Sequence, residues 1–85
     1  MKALIIDDER LARNELTRLL QEHPGIEVVG EAANADEAEK QIAELHPDLL
    51  FLDINMPGRD GFQLLEALEL APHVIFVTAY DEHAV

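Results

Sequence analysis

Asp53 closes the apolar run Leu49-Leu50-Phe51-Leu52 and is followed at once by Ile54-Asn55-Met56-Pro57-Gly58. A strand buried on both faces reads as a continuous hydrophobic run. A carboxylate at its end is displayed at the rim of a parallel sheet, where open α/β folds bind their ligands. The chain repeats the device twice: Ala3-Leu4-Ile5-Ile6 ends on Asp7-Asp8-Glu9, and Val74-Ile75-Phe76-Val77 ends on Thr78. Clustered carboxylates repel one another, so a divalent cation relieves them and also neutralises an incoming phosphate. An aspartate at a single strand end is ordinary turn chemistry. Acids at two strand ends and a hydroxyl at a third form a set that asks for a cation and a phosphate.

The elements that must position this set alternate along the chain. After the first strand, Leu11, Ala12, Leu16, Leu19 and Leu20 share one face of a 3.6-period helix, which His23-Pro24-Gly25 terminates. Ile26-Glu27-Val28-Val29 is a short strand. Asn34 is an N-cap with Glu37 three residues on, a capping-box spacing, and Ala35, Ala38, Ile42 and Leu45 form the buried stripe of the second helix. His46-Pro47-Asp48 breaks that helix before the strand ending at Asp53. Asp60 caps a third helix with Phe62, Leu65 and Leu68 inward, Ala71-Pro72 stops it, and Asp81 starts a fourth. The order β-α-β-α-β-α-β implies right-handed crossovers and a parallel, doubly wound sheet. With strands one and three adjacent at the switch point, Asp7, Asp8 and Asp53 line one crevice.

Composition narrows the function. The 85 residues make one small domain, with 48% hydrophobic and 28% charged residues as in globular proteins. A net charge of −12 argues against direct nucleic-acid binding, which needs a positive patch to displace counterions. No apolar run approaches a membrane span and no signal-peptide core is present, so a cytoplasmic home is expected. There are no cysteines, hence no disulfides and no thiolate chemistry. His23, His46, His73 and His83 are dispersed without i, i+4 partners and read as non-ligands; Arg10, Arg59 and Tyr80 read as surface residues near the acids.

The acid pair Asp7-Asp8, the stretch Asp53-Ile54-Asn55-Met56-Pro57 with Gly61, and Val77-Thr78-Ala79 form an ordered set spanning nearly the whole chain. By this set the chain resembles the receiver domain of bacterial two-component response regulators. Its tail, Thr78-Ala79-Tyr80-Asp81-Glu82-His83-Ala84-Val85, resembles regulators with a LytTR-type DNA-binding domain. The resemblance implies a flavodoxin-like sheet with strand order 2-1-3-4 and Mg²⁺ held by Asp8, Asp53 and the Asn55 backbone carbonyl, with Asp7 acting through water. It implies phosphorylation of Asp53 by a sensor histidine kinase, Thr78 donating to a phosphoryl oxygen, and a signalling role rather than an enzymatic one. The regulated output, in this reading transcription, is not in the chain.

Whole receivers continue through a fourth helix, a fifth strand ending on Lys-Pro and a fifth helix. Residues 1–85 therefore read as a C-terminally truncated receiver lacking most of helix 4, strand 5, helix 5 and the output domain; neither Lys2 nor Lys40 stands where the family places its phosphate-pairing lysine. Such a truncation leaves strand four as an edge and uncovers helix one, from which a homodimer or higher oligomer through those surfaces is expected. Two other functions compete. One is a non-phosphorylatable scaffold or self-associating fragment. The other is an aspartate-nucleophile phosphohydrolase of the haloacid-dehalogenase type, disfavoured because Asn55 stands where a general-acid aspartate is needed.

Overall fold

The computed structural model describes residues 1–53, 61–68 and 72–77. Its elements are β1 (Lys2–Ile6), α1 (Arg10–Leu20), β2 (Glu27–Ala32), α2 (Ala35–Leu45), β3 (Leu49–Asp53), α3 (Gly61–Ala67) and β4 (His73–Val77). The four strands form one parallel sheet in the order β2-β1-β3-β4, the flavodoxin-like, doubly wound arrangement expected.

The two central strands explain why their sequences are continuously apolar. Leu4 and Ile6 of β1 with Leu50 and Leu52 of β3 face one side, where they pack with Ala32, Ala35, Ala38, Ile42 and Leu64. Ala3, Ile5, Leu49 and Phe51 face the other side and pack with Leu20, Leu16 and Val77. Thus α1 covers one face while α2 and α3 cover the opposite one. The helices change sides between β1 and β3, and the carboxyl ends of those two strands flank the switch point.

Local sequence sets the helix ends. Asn34 is extended and its side chain accepts from the Glu37 amide at 2.8 Å, satisfying one of the unpaired first-turn donors of α2. Glu37 returns the bond to the Ala33 amide at 2.8 Å rather than to Asn34 itself, so the reciprocal box closes one residue earlier than its usual form. At the other end His46 adopts a left-handed conformation (φ 48°) and its amide bonds the Ile42 carbonyl at 3.0 Å, after which Pro47 forbids further helix.

Three sequence expectations change. First, β2 runs to Ala32, three residues beyond the expected Val29. Between Ala3 and Leu4 the β1–β2 register skips Val29, and Gly30 continues the strand. A Cβ on Gly30 would run into the Gln41 amide oxygen and crowd Leu45 and Leu4, so glycine here admits α2 close to the sheet. Second, the apolar arc of α1 is wider than the surface it covers. Leu20 is buried and Leu16 partly so, whereas Leu11 and Leu19 are 77% and 48% exposed. At 3.6 residues per turn Leu11 stands about 180° from Leu20, so one sheet face cannot cover both. Third, among the described side chains of α3 Leu64 is the fully buried one, with Leu65 and the following Leu68 only partly buried against the same core. The Asp60 cap, the Phe62 side chain, Ala71 and the helix start at Asp81 lie outside the described residues.

Candidate metal centre

The β1–β3 register pairs Ile6 with Leu52, so the next residues, Asp7 and Asp53, leave the two strands side by side. One carboxylate oxygen from each of Asp7, Asp8 and Asp53 lies within 4.8 Å of the other two. Asp7 is 5% and Asp53 3% exposed, while Asp8 faces solvent. Two buried acids and an exposed one therefore form a cup that opens outward at the carboxyl edge of the sheet.

Asp7 is held at its amide, its carboxylate and its carbonyl. Its amide donates to the Ala32 carbonyl at 3.0 Å, which ties the end of β1 to the end of β2. Its Oδ1 accepts from the Glu9 amide at 2.9 Å, an Asx-type turn that starts α1 in place of a side-chain cap from Glu9. Its carbonyl oxygen accepts from Arg13 Nη1 at 2.7 Å. Burial pushes the Asp7 carboxyl above the usual carboxylate range, the Glu9 amide bond opposes this, the charges of Asp8 and Glu9 add to it, and Arg13 opposes it.

These are hard oxygen donors, with no imidazole or thiolate among the described members of the cluster. Such a set suits Mg²⁺ or Ca²⁺ rather than zinc or copper. Carboxylates held this close repel one another, and a bound cation relieves that repulsion. Asp7, Asp8 and Asp53 are thus brought together as the sequence leads one to expect. Asn55 and Thr78, with Ala79, Tyr80 and Arg59, lie outside the described residues. Arg13 is the participant that sequence reasoning passed over. The signal was its place near the start of α1, a few residues after the acid pair, where a long cation can reach back to the strand end.

Residues 3–85 match the family described as response regulator receiver domain. The chain belongs to that family. An uncharacterized response regulatory protein of Vibrio cholerae serotype O1 is 55% identical over 86 residues, spanning 99% of this chain and 36% of that protein. The transcriptional regulatory protein BtsR of Escherichia coli K12 is 47% identical, spanning 100% of this chain and 36% of BtsR. Among solved structures, the response regulatory domain of protein mrkE from Klebsiella pneumoniae superposes with a TM-score of 0.82 at 38% identity, covering 99% of this chain and 71% of that one. The receiver domain of CheB from Thermotoga maritima gives a TM-score of 0.83 at 33% identity, covering 93% and 60%. This receiver therefore spans about a third of the length of its curated relatives. Receivers are signalling modules rather than enzymes, which removes the phosphohydrolase alternative; as a class they hold Mg²⁺ on acidic residues and take their signal from histidine kinases. No helix among the described residues is long and apolar enough to cross a membrane.

Proposed function

We propose that this receiver is a Mg²⁺-dependent phosphoacceptor in which Asp53 takes a phosphoryl group from a sensor histidine kinase. The observation that carries the reading is the convergence of the Asp7, Asp8 and Asp53 carboxylates within 4.8 Å at the sheet switch point. A carboxylate oxygen of Asp53 attacks the phosphorus of a phosphohistidine. An O–P bond forms as the P–N bond breaks, and the electron pair leaves with the imidazole nitrogen, which is protonated from solvent. The product on Asp53 is an acyl phosphate.

Catalysis of such a transfer is mostly positioning and charge neutralisation. Asp8, Asp53 and the Asn55 carbonyl would hold Mg²⁺, with Asp7 acting through water, and the ion would supply the positive charge that the acids and the phosphoryl oxygens require. Asp53, at the end of a strand buried throughout, is held as a fixed nucleophile rather than a mobile side chain. Asp7, locked by three hydrogen bonds, keeps its carboxylate beside it. Thr78 donates its hydroxyl to a phosphoryl oxygen, and the neighbouring Ala79 amide assists.

The reading extends to a cytoplasmic regulator whose output is transcription, through a DNA-binding domain of LytTR type outside this chain. BtsR, whose alignment covers all of this chain, is named a transcriptional regulator, and the acidic receiver itself is not the DNA-contacting part. Self-association also belongs to the proposal. Among the described residues β4 pairs only with β3, and Ile75, Leu11 and Leu19 present large apolar side chains to solvent. A homodimer or higher oligomer in light scattering is expected, and a monodisperse monomer at working concentration defeats that part.

The deciding experiment is intact mass after incubation with Mg²⁺ and acetyl phosphate, with Asp53→Ala as control. One added phosphoryl mass in the parent and none in the variant supports the acceptor role. No gain in a folded sample, or equal gain in both, overturns it and favours a silent scaffold.

A further inference from the structure

The guanidinium of Arg13 serves two acceptors on different elements. Nη1 donates to the Asp7 carbonyl at 2.7 Å. Nε donates to Glu31 Oε1 on β2 at 2.8 Å. The Arg13 side chain is only 14% exposed, so this fork is held in place rather than sampled from solvent. The same residue of β2 is anchored through its backbone, where Gln41 on α2 donates to the Glu31 carbonyl at 2.5 Å. Asp7 is consequently gripped at both backbone groups: its amide by Ala32, its carbonyl by Arg13. Arg18 makes the contrast. It pairs with Glu15 one turn away on the exposed face of α1 and touches nothing in the acid cup.

We infer that Arg13 is a positioning residue for the cation held by Asp7, Asp8 and Asp53: it fixes the Asp7 backbone against β2 and so sets where the Asp7 and Asp8 carboxylates stand relative to Asp53. The inference rests on the cation-site reading above. It is decidable because two physical effects of Arg13 have opposite signs. As a charge, a guanidinium near a cation site repels the cation, so its removal alone should tighten binding. As a positioning group, its removal should weaken binding, by the roughly 10- to 100-fold seen when partners that orient metal ligands are lost. Lysine keeps the charge but cannot present a planar fork to two acceptors at a fixed angle.

The test is calorimetric titration of the full chain with Mg²⁺ for the parent, Arg13→Lys, Arg13→Gln, Glu31→Gln and Arg18→Gln, at one fixed ionic strength. Both Arg13 variants should bind about tenfold more weakly, Glu31→Gln should shift the same way by less, and Arg18→Gln should match the parent. In EDTA, amide hydrogen exchange at Asp7 and Glu9 should speed up in the Arg13 variants and not in Arg18→Gln. Full affinity in Arg13→Lys, or equal or tighter binding in Arg13→Gln, overturns the inference. If Arg13→Gln does not fold, Arg13→Lys and Glu31→Gln decide by the same criteria. A parent that binds no Mg²⁺ overturns the cation-site reading and this inference with it; a parent that binds, with Arg13 variants unchanged, overturns the inference alone.

Discussion

Replacing Asp7 by asparagine should stabilise the metal-free receiver while weakening its response to Mg²⁺. The substitution keeps an Oδ1 that can accept from the Glu9 amide, so the turn into α1 is preserved. It leaves the backbone bonds to Ala32 and Arg13 untouched. What it removes is a buried charge with one oxygen within 4.8 Å of an oxygen of Asp8 and of Asp53. Two unit charges at about that separation repel by about 3 kcal/mol at an effective dielectric constant near 20. The Asp8 share is screened because Asp8 faces water, and loss of the Arg13 attraction offsets part of the gain. A net stabilisation of about 2 kcal/mol remains.

The pH dependence gives a second check on the same variant. Because burial and neighbouring acids raise the folded-state pKa of Asp7, the native state binds that proton more tightly than the unfolded chain does. Its contribution is fully present below the unfolded value of about 3.9 and is lost as pH rises through the folded value. The advantage of Asp7→Asn should therefore be absent near pH 4 and grow toward neutrality. Urea unfolding in EDTA across this range measures it. With Mg²⁺ at about 100 times its Kd the parent should gain about 2.7 kcal/mol, and Asp7→Asn less. An unfolding midpoint in EDTA at or below that of the parent, or a difference independent of pH, would refute the view that these acids are held together against their own repulsion.

Three further outcomes probe the scaffold. Asn34→Ala removes the bond to the Glu37 amide and should cost about 1 kcal/mol, read as a lower thermal midpoint; an unchanged midpoint would mean that water replaces the cap at no cost. Gly30→Ala places a Cβ against Gln41, Leu45 and Leu4 and should cost about 1–3 kcal/mol, with Gln41→Ala in the same chain recovering part of it. Leu50→Ala empties a fully buried position between α2 and the sheet and should cost about 2–5 kcal/mol. That is a large share of the stability of a domain this size, and loss of cooperative unfolding by circular dichroism is the expected reading.

Much of the architecture was legible in the residues because the relevant physics is local. Continuous apolar runs at 3–6, 49–52 and 74–77 mark parallel strands whatever surrounds them, and Asn34 with Glu37 marks a helix start within four residues. A turn residue at one strand end means little, but acids and a hydroxyl at three of them mark a binding edge. By itself, then, the sequence determined the strand–helix alternation, the doubly wound class and the identity of the acidic cluster. Only the tertiary structure decided how those parts bear on one another. The extension of β2 through Gly30 depends on how closely α2 approaches, the exposure of Leu11 and Leu19 depends on how much of α1 the sheet can cover, and the grip of Arg13 on Asp7 depends on Glu31 of another strand. Periodicity records which side of an element is apolar, not how much surface another element offers it. Likewise, a guanidinium's partners are set by distances across the fold, which spacing along the chain does not contain.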